Sequence, residues 1–451
     1  LMFGLDDLKF ATSMAYSQQE KEAERTTVQG ALITLENDSG HILAMIGGNQ
    51  FDRTNQFNRA VQAKVQPGSS FKPLYYSRAI ESKTFTPASF IYDAPVVFWN
   101  DDGTPYTPLN YRGRWRGPVR LRFALAHSMN VPSLKVLDAI GFDAAIDNAS
   151  SLLGIHDPQE IARNFPRKYP LGLGIIEVAP IQMARAYATF PNKGKEVIPI
   201  GISHIEDNSG NIILEPEKEL RSRQAKKGEE AQLLTPQASY IMVDMLSTTV
   251  ESGTLSYARR TADGFPMPMG GKTGTTQNWS DAWAMGFSPY VTTAVWFGFD
   301  RPGYSLGTNQ SGAVAAGPVW AQYMKRIHQN LEPKEFEKPE TGLQEVTVCA
   351  VSGDLPTEYC DEGTIEEIFL DGTEPDSFCS YHEFENRRNS VMVKKLEDSM
   401  LTEDLSLQDD FNTFSEFEEL DESLDSLELE LDVAPDMQPG TAPDDTEDDE
   451  D

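Results

Sequence analysis

Three short segments of the chain carry the residue types that acyl-transfer chemistry uses. In Gly68-Ser69-Ser70-Phe71-Lys72-Pro73 a hydroxyl and an amine stand three residues apart, and Pro73, which has no backbone N–H, marks the first turn of a helix. Residues at that spacing share a helix face, so Ser69 and Lys72 are neighbours. A serine hydroxyl attacks poorly until a neutral base takes its proton, and a helix N-terminus offers N–H groups where an oxyanion develops. Ser70 lies two residues from Lys72 and faces away, which leaves Ser69 as the candidate nucleophile. Ser128-Met129-Asn130 follows the helical run Leu121 to His127 and sets a second hydroxyl beside an amide, a pair suited to relaying a proton and holding a peptide group. The third segment is Gly270-Gly271-Lys272-Thr273-Gly274-Thr275-Thr276. Thr273 and Thr275 fall on one side of a strand and, with Lys272, suit a carboxylate. Gly274 weakens that strand unless some backbone must come close, as when a substrate docks along an exposed edge. Singly, Ser-x-x-Lys is more often a helix cap with an exposed lysine and Ser-x-Asn more often just a turn, and the third segment also reads as a glycine-weakened strand near a bulge; only the combination points to chemistry. Two lysines converging on one serine cannot both be comfortably charged, and Lys72, closer to the nucleophile, is the one expected to lose its proton easily.

The elements that must position these residues are legible from periodicity. Val28 to Leu35 and His41 to Ile46 are β-branched runs joined by Asn37-Asp38-Ser39-Gly40, which predicts a hairpin. Pro268 to Thr276, Asp281 to Ser288 and Val291 to Asp300 read as a late meander, and Ala315 to Leu331 as an amphipathic helix. Between the two strand groups lie helices, among them one capped by Thr235-Pro236 and ending at Gly253. If hairpin and meander join, the fold class is α+β: an antiparallel five-stranded sheet flanked by helices.

Composition bounds the rest. The chain has 451 residues and a formal charge of −32. Residues 397–451 hold 23 acids and no Lys or Arg, so residues 1–396, with 38 basic and 47 acidic side chains, carry only −9. No basic stripe is present, which excludes nucleic acid as an expected partner. No run of 18 or more apolar residues occurs, and the chain opens on Leu1, so it reads as a piece of a longer protein, with any anchor or signal expected upstream. The spacing of Cys349, Cys360 and Cys379 fits no zinc pattern and only six His are present, so no metal site and no cofactor are expected; one disulfide plus a thiol, or three thiols, both remain open. Four stretches follow: a linker with a leading helix (1–27), the main domain (28–331), a Pro-rich, Cys-bearing annex (332–396) and an acidic tail (397–451). In the tail, Leu407, Phe411, Phe414, Phe417, Leu420, Leu424, Leu427 and Leu431 recur at helical spacing, but the surrounding charge is all negative. Disorder, or folding against a basic partner, is the expectation there.

Order and spacing join the three segments. Ser-x-x-Lys, then Ser-x-Asn 59 residues on, then Lys-Thr-Gly 144 further, resembles the penicillin-recognising serine acyltransferases. More closely, the chain resembles the transpeptidase domain of class A, bifunctional penicillin-binding proteins. Beyond the motifs, Val28-Gln29-Gly30-Ala31-Leu32 with Ile42-Leu43-Ala44-Met45, Phe57-Asn58-Arg59-Ala60, Gln66-Pro67-Gly68-Ser69, Asn110-Tyr111, Gly117-Pro118-Val119, Leu171-Gly172-Leu173-Gly174 and Met183-Ala184-Arg185-Ala186-Tyr187-Ala188 look like that family's landmarks. The likeness runs from about residue 5 to about residue 383.

The resemblance implies a fold like that of the serine β-lactamases and D,D-transpeptidases, and a set of roles. Ser69 would attack the carbonyl between two terminal D-alanines of a peptidoglycan stem peptide, with Lys72 as base. Ser128 would pass the proton to the departing amine, and Lys272 would hold Ser128 and raise the local potential. Asn130 would contact the donor amide, the N–H groups of Ser69 and Thr275 would form the oxyanion hole, and Thr273 and Thr275 would receive the carboxylate. One such donor is worth about 3 kcal/mol in the transition state. The partners implied are donor and acceptor stem peptides and β-lactams, on the extracytoplasmic face of the bacterial membrane. A carboxypeptidase or β-lactamase of the same fold, and a non-catalytic penicillin-sensing or wall-binding module, are the rivals. The family's glycosyltransferase domain has no counterpart here, so glycan polymerisation is not expected. Ala179-Pro180 stands where the family commonly caps a helix with Ser or Thr.

Overall fold

A computed structural model describes residues 27–384, apart from residues 52, 54 and 362. The leading helix expected over 5–24 and the acidic tail lie outside the described residues. Residues up to Tyr381 belong to one compact unit; of a second unit, beginning at His382, residues 382–384 are described.

The β-branched runs form β1 (Gln29–Glu36) and β2 (Ile42–Ile46), and the late meander forms β3 (Gly270–Thr275), β4 (Ala282–Phe287) and β5 (Val291–Gly298). They pair in the order β2-β1-β5-β4-β3, antiparallel throughout. Hairpin and meander thus meet in one sheet, with Gln29 opposite Gly298 and Glu36 opposite Val291. Asn37 stitches the hairpin turn to the meander: its amide donates to the Ser288 carbonyl at 2.8 Å and accepts from the Thr292 hydroxyl at 2.7 Å.

Alternation along the strands assigns side chains to two buried faces. Ala31, Ile33, Leu35, Trp283, Met285, Phe287, Ala294 and Trp296 join the larger core. It is filled from the other side by α1 (Lys72–Glu81), α2 (Asn130–Ile140), α3 (Pro180–Ala188) and α4 (Pro236–Glu251). Leu32, Ala282, Ala284 and Val295 face the opposite way, against Trp320 and Met324 of α5 (Gly317–His328). Helix α5 is shorter than the expected Ala315 to Leu331, because Gly312–Ala316 winds as a wider π turn before it. Thr235 caps α4 as its sequence predicts, accepting from the Ala238 N–H at 3.3 Å. At α3, where Ala179 has no capping oxygen, the Gln182 side chain reaches back to the Ala179 N–H at 3.0 Å. Among the described residues, no helix is long and apolar enough to cross a membrane.

Beyond α5 the chain forms a two-stranded ribbon, β6 (Leu343–Cys349) with β7 (Thr364–Leu370). Its own core is small: Val348 and Phe369 with Ala88, bordered by Val346 and Ile365. The ribbon is tied to the helices by Glu367, which is buried and receives the Arg122 guanidinium at 2.8 Å; Arg122 also pairs with Asp244 of α4.

Candidate active site

Ser69 lies in a 3-10 turn, Gly68–Phe71, that runs straight into α1. In a 3-10 turn residues three apart eclipse, which brings the half-buried Ser69 alongside Lys72. Neighbours hold the turn from several sides: the Tyr187 hydroxyl donates to the Ser70 carbonyl at 2.7 Å, and the Trp283 indole to the Gln66 carbonyl at 2.8 Å. Ser70 is fully buried and donates its own hydroxyl to the Pro67 carbonyl at 2.6 Å, which disposes of it as a rival nucleophile.

The buried Lys72 amine reaches the second segment. It donates to the carbonyls of Ser128 at 2.7 Å and Met129 at 3.1 Å, and to the Asn130 side-chain oxygen at 2.9 Å. Ser128 is itself in the left-handed region, φ +57°, a strained conformation for a residue with a Cβ. Asn130 opens α2, and its amide nitrogen donates to the Leu109 carbonyl at 2.9 Å. The sequence assigned Asn130 to the substrate; in the fold both arms of its amide are engaged with the protein, one of them on Lys72. Behind it, the Asn110 side-chain oxygen accepts from the N–H groups of Asn130 and Val131, each at 3.1 Å, and the Asn110 amide nitrogen donates to Asp93 at 2.8 Å.

The third segment is the edge strand β3. Gly274 has the reason its strand position demands, though not the expected one: a Cβ there would stand 2.2 Å from the Pro67 carbonyl oxygen and 2.9 Å from the Ser70 hydroxyl. The backbone that comes close is the nucleophile turn itself, not a docked substrate. On the other side of the same junction, Gly68, at φ +55°, would place a Cβ 2.6 Å from the Thr275 carbonyl oxygen. Lys272 is fully buried and donates to the Thr273 carbonyl at 3.2 Å, where an interaction with Ser128 was expected. The Thr273 hydroxyl donates to the Thr254 hydroxyl at 2.8 Å, and the Thr275 hydroxyl accepts from the Gly312 N–H at 2.9 Å. Thr254, held by its N–H to the Ala126 carbonyl, gave no sequence signal; a lone threonine after Gly253 has no spacing that betrays it.

Electrostatics follow from burial. Desolvation, with Lys272 nearby, holds Lys72 well below the usual lysine range. Desolvation likewise brings Lys272 down to about 7. Both amines are lowered, where only Lys72 was expected to be.

A five-stranded antiparallel sheet covered by helices, with these three segments gathered at one of its edges, defines a class, the penicillin-recognising fold. Residues 30–325 match the penicillin binding protein transpeptidase domain, and residues 339–384 match the C-terminal domain of penicillin-binding protein 1A. The chain belongs to the penicillin-binding protein transpeptidase family. It is 35% identical over 354 residues to penicillin-binding protein 1A of Aquifex aeolicus, covering 78% of this chain and 45% of that protein. To the Neisseria gonorrhoeae protein of the same name it is 36% identical over 315 residues, covering 69% and 37%. The crystal structure of penicillin-binding protein 1A from Haemophilus influenzae superposes with a TM-score of 0.68 at 29% identity, over 78% of this chain and 54% of that one. The chain thus spans less than half the length of these curated relatives.

Proposed function

We propose that this chain is a serine-type D,D-transpeptidase that crosslinks peptidoglycan stem peptides outside the cytoplasmic membrane and is acylated by β-lactams. Ser69 Oγ attacks the carbonyl carbon between the two terminal D-alanines, and Lys72 Nζ takes its proton. A neutral amine donates only two hydrogen bonds, so Lys72 gives up one of its three acceptors and turns its lone pair to Ser69. Burial and the neighbouring Lys272 both favour that neutral form. The oxyanion is met by the N–H groups of Ser69 and Thr275 at the junction where Gly68 allows the two segments to touch. The C–N bond breaks, the leaving D-alanine takes a proton by way of the Ser128 hydroxyl, and its carboxylate sits by Thr273 and Thr275 under the Lys272 charge. An amine of a second stem peptide then attacks the ester, forms the crosslink and returns the proton to Ser69. Asn130 positions Lys72 and meets the donor amide once substrate displaces one of its protein contacts.

The observation that carries this reading is Lys72: its backbone N–H closes the turn onto the Ser69 carbonyl, and its amine is bonded to the Ser128 carbonyl and the Asn130 side chain and feels Lys272. Intact mass after exposure to a β-lactam, followed by peptide mapping, tests it. One persistent adduct on the Ser69 peptide is expected, absent in Ser69→Ala. Rapid release of hydrolysed antibiotic would assign the site to a hydrolase instead, and an adduct that survives Ser69→Ala would overturn the nucleophile.

A further inference from the structure

The annex that carries the ribbon β6–β7 is a poor candidate for self-sufficiency. The matched C-terminal domain spans 339–384, and its private core is little more than Val348 and Phe369 against Ala88. Modules of about 40 residues need a staple, either disulfides or a metal. In this one the fold gathers all three cysteines of the chain. Cys349 ends β6, Cys360 lies in the loop between the strands and Cys379 follows β7, yet the three sulfurs lie within 4.8 Å of one another. A tetrahedral site with Zn–S bonds of about 2.3 Å sets neighbouring sulfurs about 3.8 Å apart, so closure takes a shift of about 1 Å.

The loops around these sulfurs are built alike. The N–H groups of Val351 and Ser352 point at Cys349 Sγ, each at 3.4 Å, and the Thr357 N–H points at Cys360 Sγ at 3.3 Å. N–H donors aimed at sulfur favour thiolate over thiol. Cys349 and Cys360 are each followed by a glycine with positive φ, Gly353 at +78° and Gly363 at +97°, whose N–H returns to the cysteine carbonyl at 3.1 and 3.2 Å. Cys379 is fixed separately, its N–H donating to the Leu355 carbonyl at 2.7 Å. Cys349 and Cys379 are buried and Cys360 is half-buried. Three soft sulfur donors select zinc over the harder divalent ions.

We propose that Cys349, Cys360 and Cys379 hold one Zn²⁺ ion as a three-thiolate site. The three thiols release their protons to solvent as thiolates bind the metal, and no redox partner is required. This reverses the expectation drawn from spacing: ten and eighteen residues separate the cysteines, and only the ribbon brings them together.

The test uses the full chain, purified under reductant, loaded with zinc alone and passed through gel filtration. One equivalent of zinc is expected by plasma mass spectrometry, and cobalt in its place should give the sulfur-to-metal charge-transfer band and the visible bands of a tetrahedral thiolate site. Cys360→Ser should lose the equivalent, with a melting curve that matches zinc-stripped wild type and so shows that the variant has folded. A wild-type chain that emerges without zinc, an intact mass that shows a disulfide in the unreduced chain, or a Cys360→Ser variant that keeps its full equivalent of zinc each overturns the site.

Discussion

At the scale of residues, the two buried lysines set opposite pH requirements. In the proposed mechanism Lys72 must be neutral to accept the Ser69 proton, so acylation is expected to rise with pH through the low Lys72 pKa. Lys272 must be charged to attract a carboxylate, so acylation falls as pH climbs through about 7, where burial has brought that amine. The second-order rate of acylation by a labelled penicillin is expected to be bell-shaped, with its alkaline limb near neutrality. Lys272→Arg, whose guanidinium stays protonated throughout, should remove that limb and leave the acidic one in place. A limb unchanged by Lys272→Arg would belong to another group. The residue types of the site were legible because hydroxyl and amine at a three-residue spacing mean the same thing in sequence and in space. What the sequence could not carry was the partner of each polar atom. Asn130 binds Lys72 and Thr273 binds Thr254, pairings that depend on how separate segments pack, while Lys272 falls back on the main-chain carbonyl of its neighbour Thr273.

At the scale of elements, the nucleophile turn and strand β3 fit together because two glycines let their backbones touch. Gly274→Ala should therefore separate them. The added methyl meets the Pro67 carbonyl, which is main chain and cannot swing aside. Acylation is expected to fall by at least about 100-fold, the loss associated with misplacing reacting groups by about 1 Å. The cost to stability should stay within about 1 to 3 kcal/mol, as for other overpacked sites, so the variant remains folded in a urea titration. Near-wild-type acylation would mean that the junction tolerates separation. The strands themselves were readable to within a residue or two, because β-branched runs between turn residues leave few alternatives. Helix α5 was read too long at both ends, since apolar spacing does not distinguish a π turn from the α-helix that continues it.

At the scale of the whole molecule, the annex is joined to the catalytic body by a buried ionic knot. Glu367 faces both Arg122 and Arg120, and Arg122 continues to Asp244. Glu367→Ala leaves two guanidinium groups without their shared counter-ion and is expected to cost about 3 to 5 kcal/mol in urea unfolding. The double variant Glu367→Ala with Arg122→Ala should lose less than the sum of the single changes, because the two groups act as one network. Additive losses would deny the coupling. A second property of the whole follows from the sheet order. Strand β1 is interior, yet its partner β5 is made more than 250 residues later, so a growing chain holds an orphaned hairpin until residue 298 has emerged. The alcohol at position 69 exists through most of that interval without the edge strand that carries Lys272. On the proposed mechanism a nascent chain is expected to be chemically inert, acquiring the power to acylate only once the meander has closed onto the waiting hairpin.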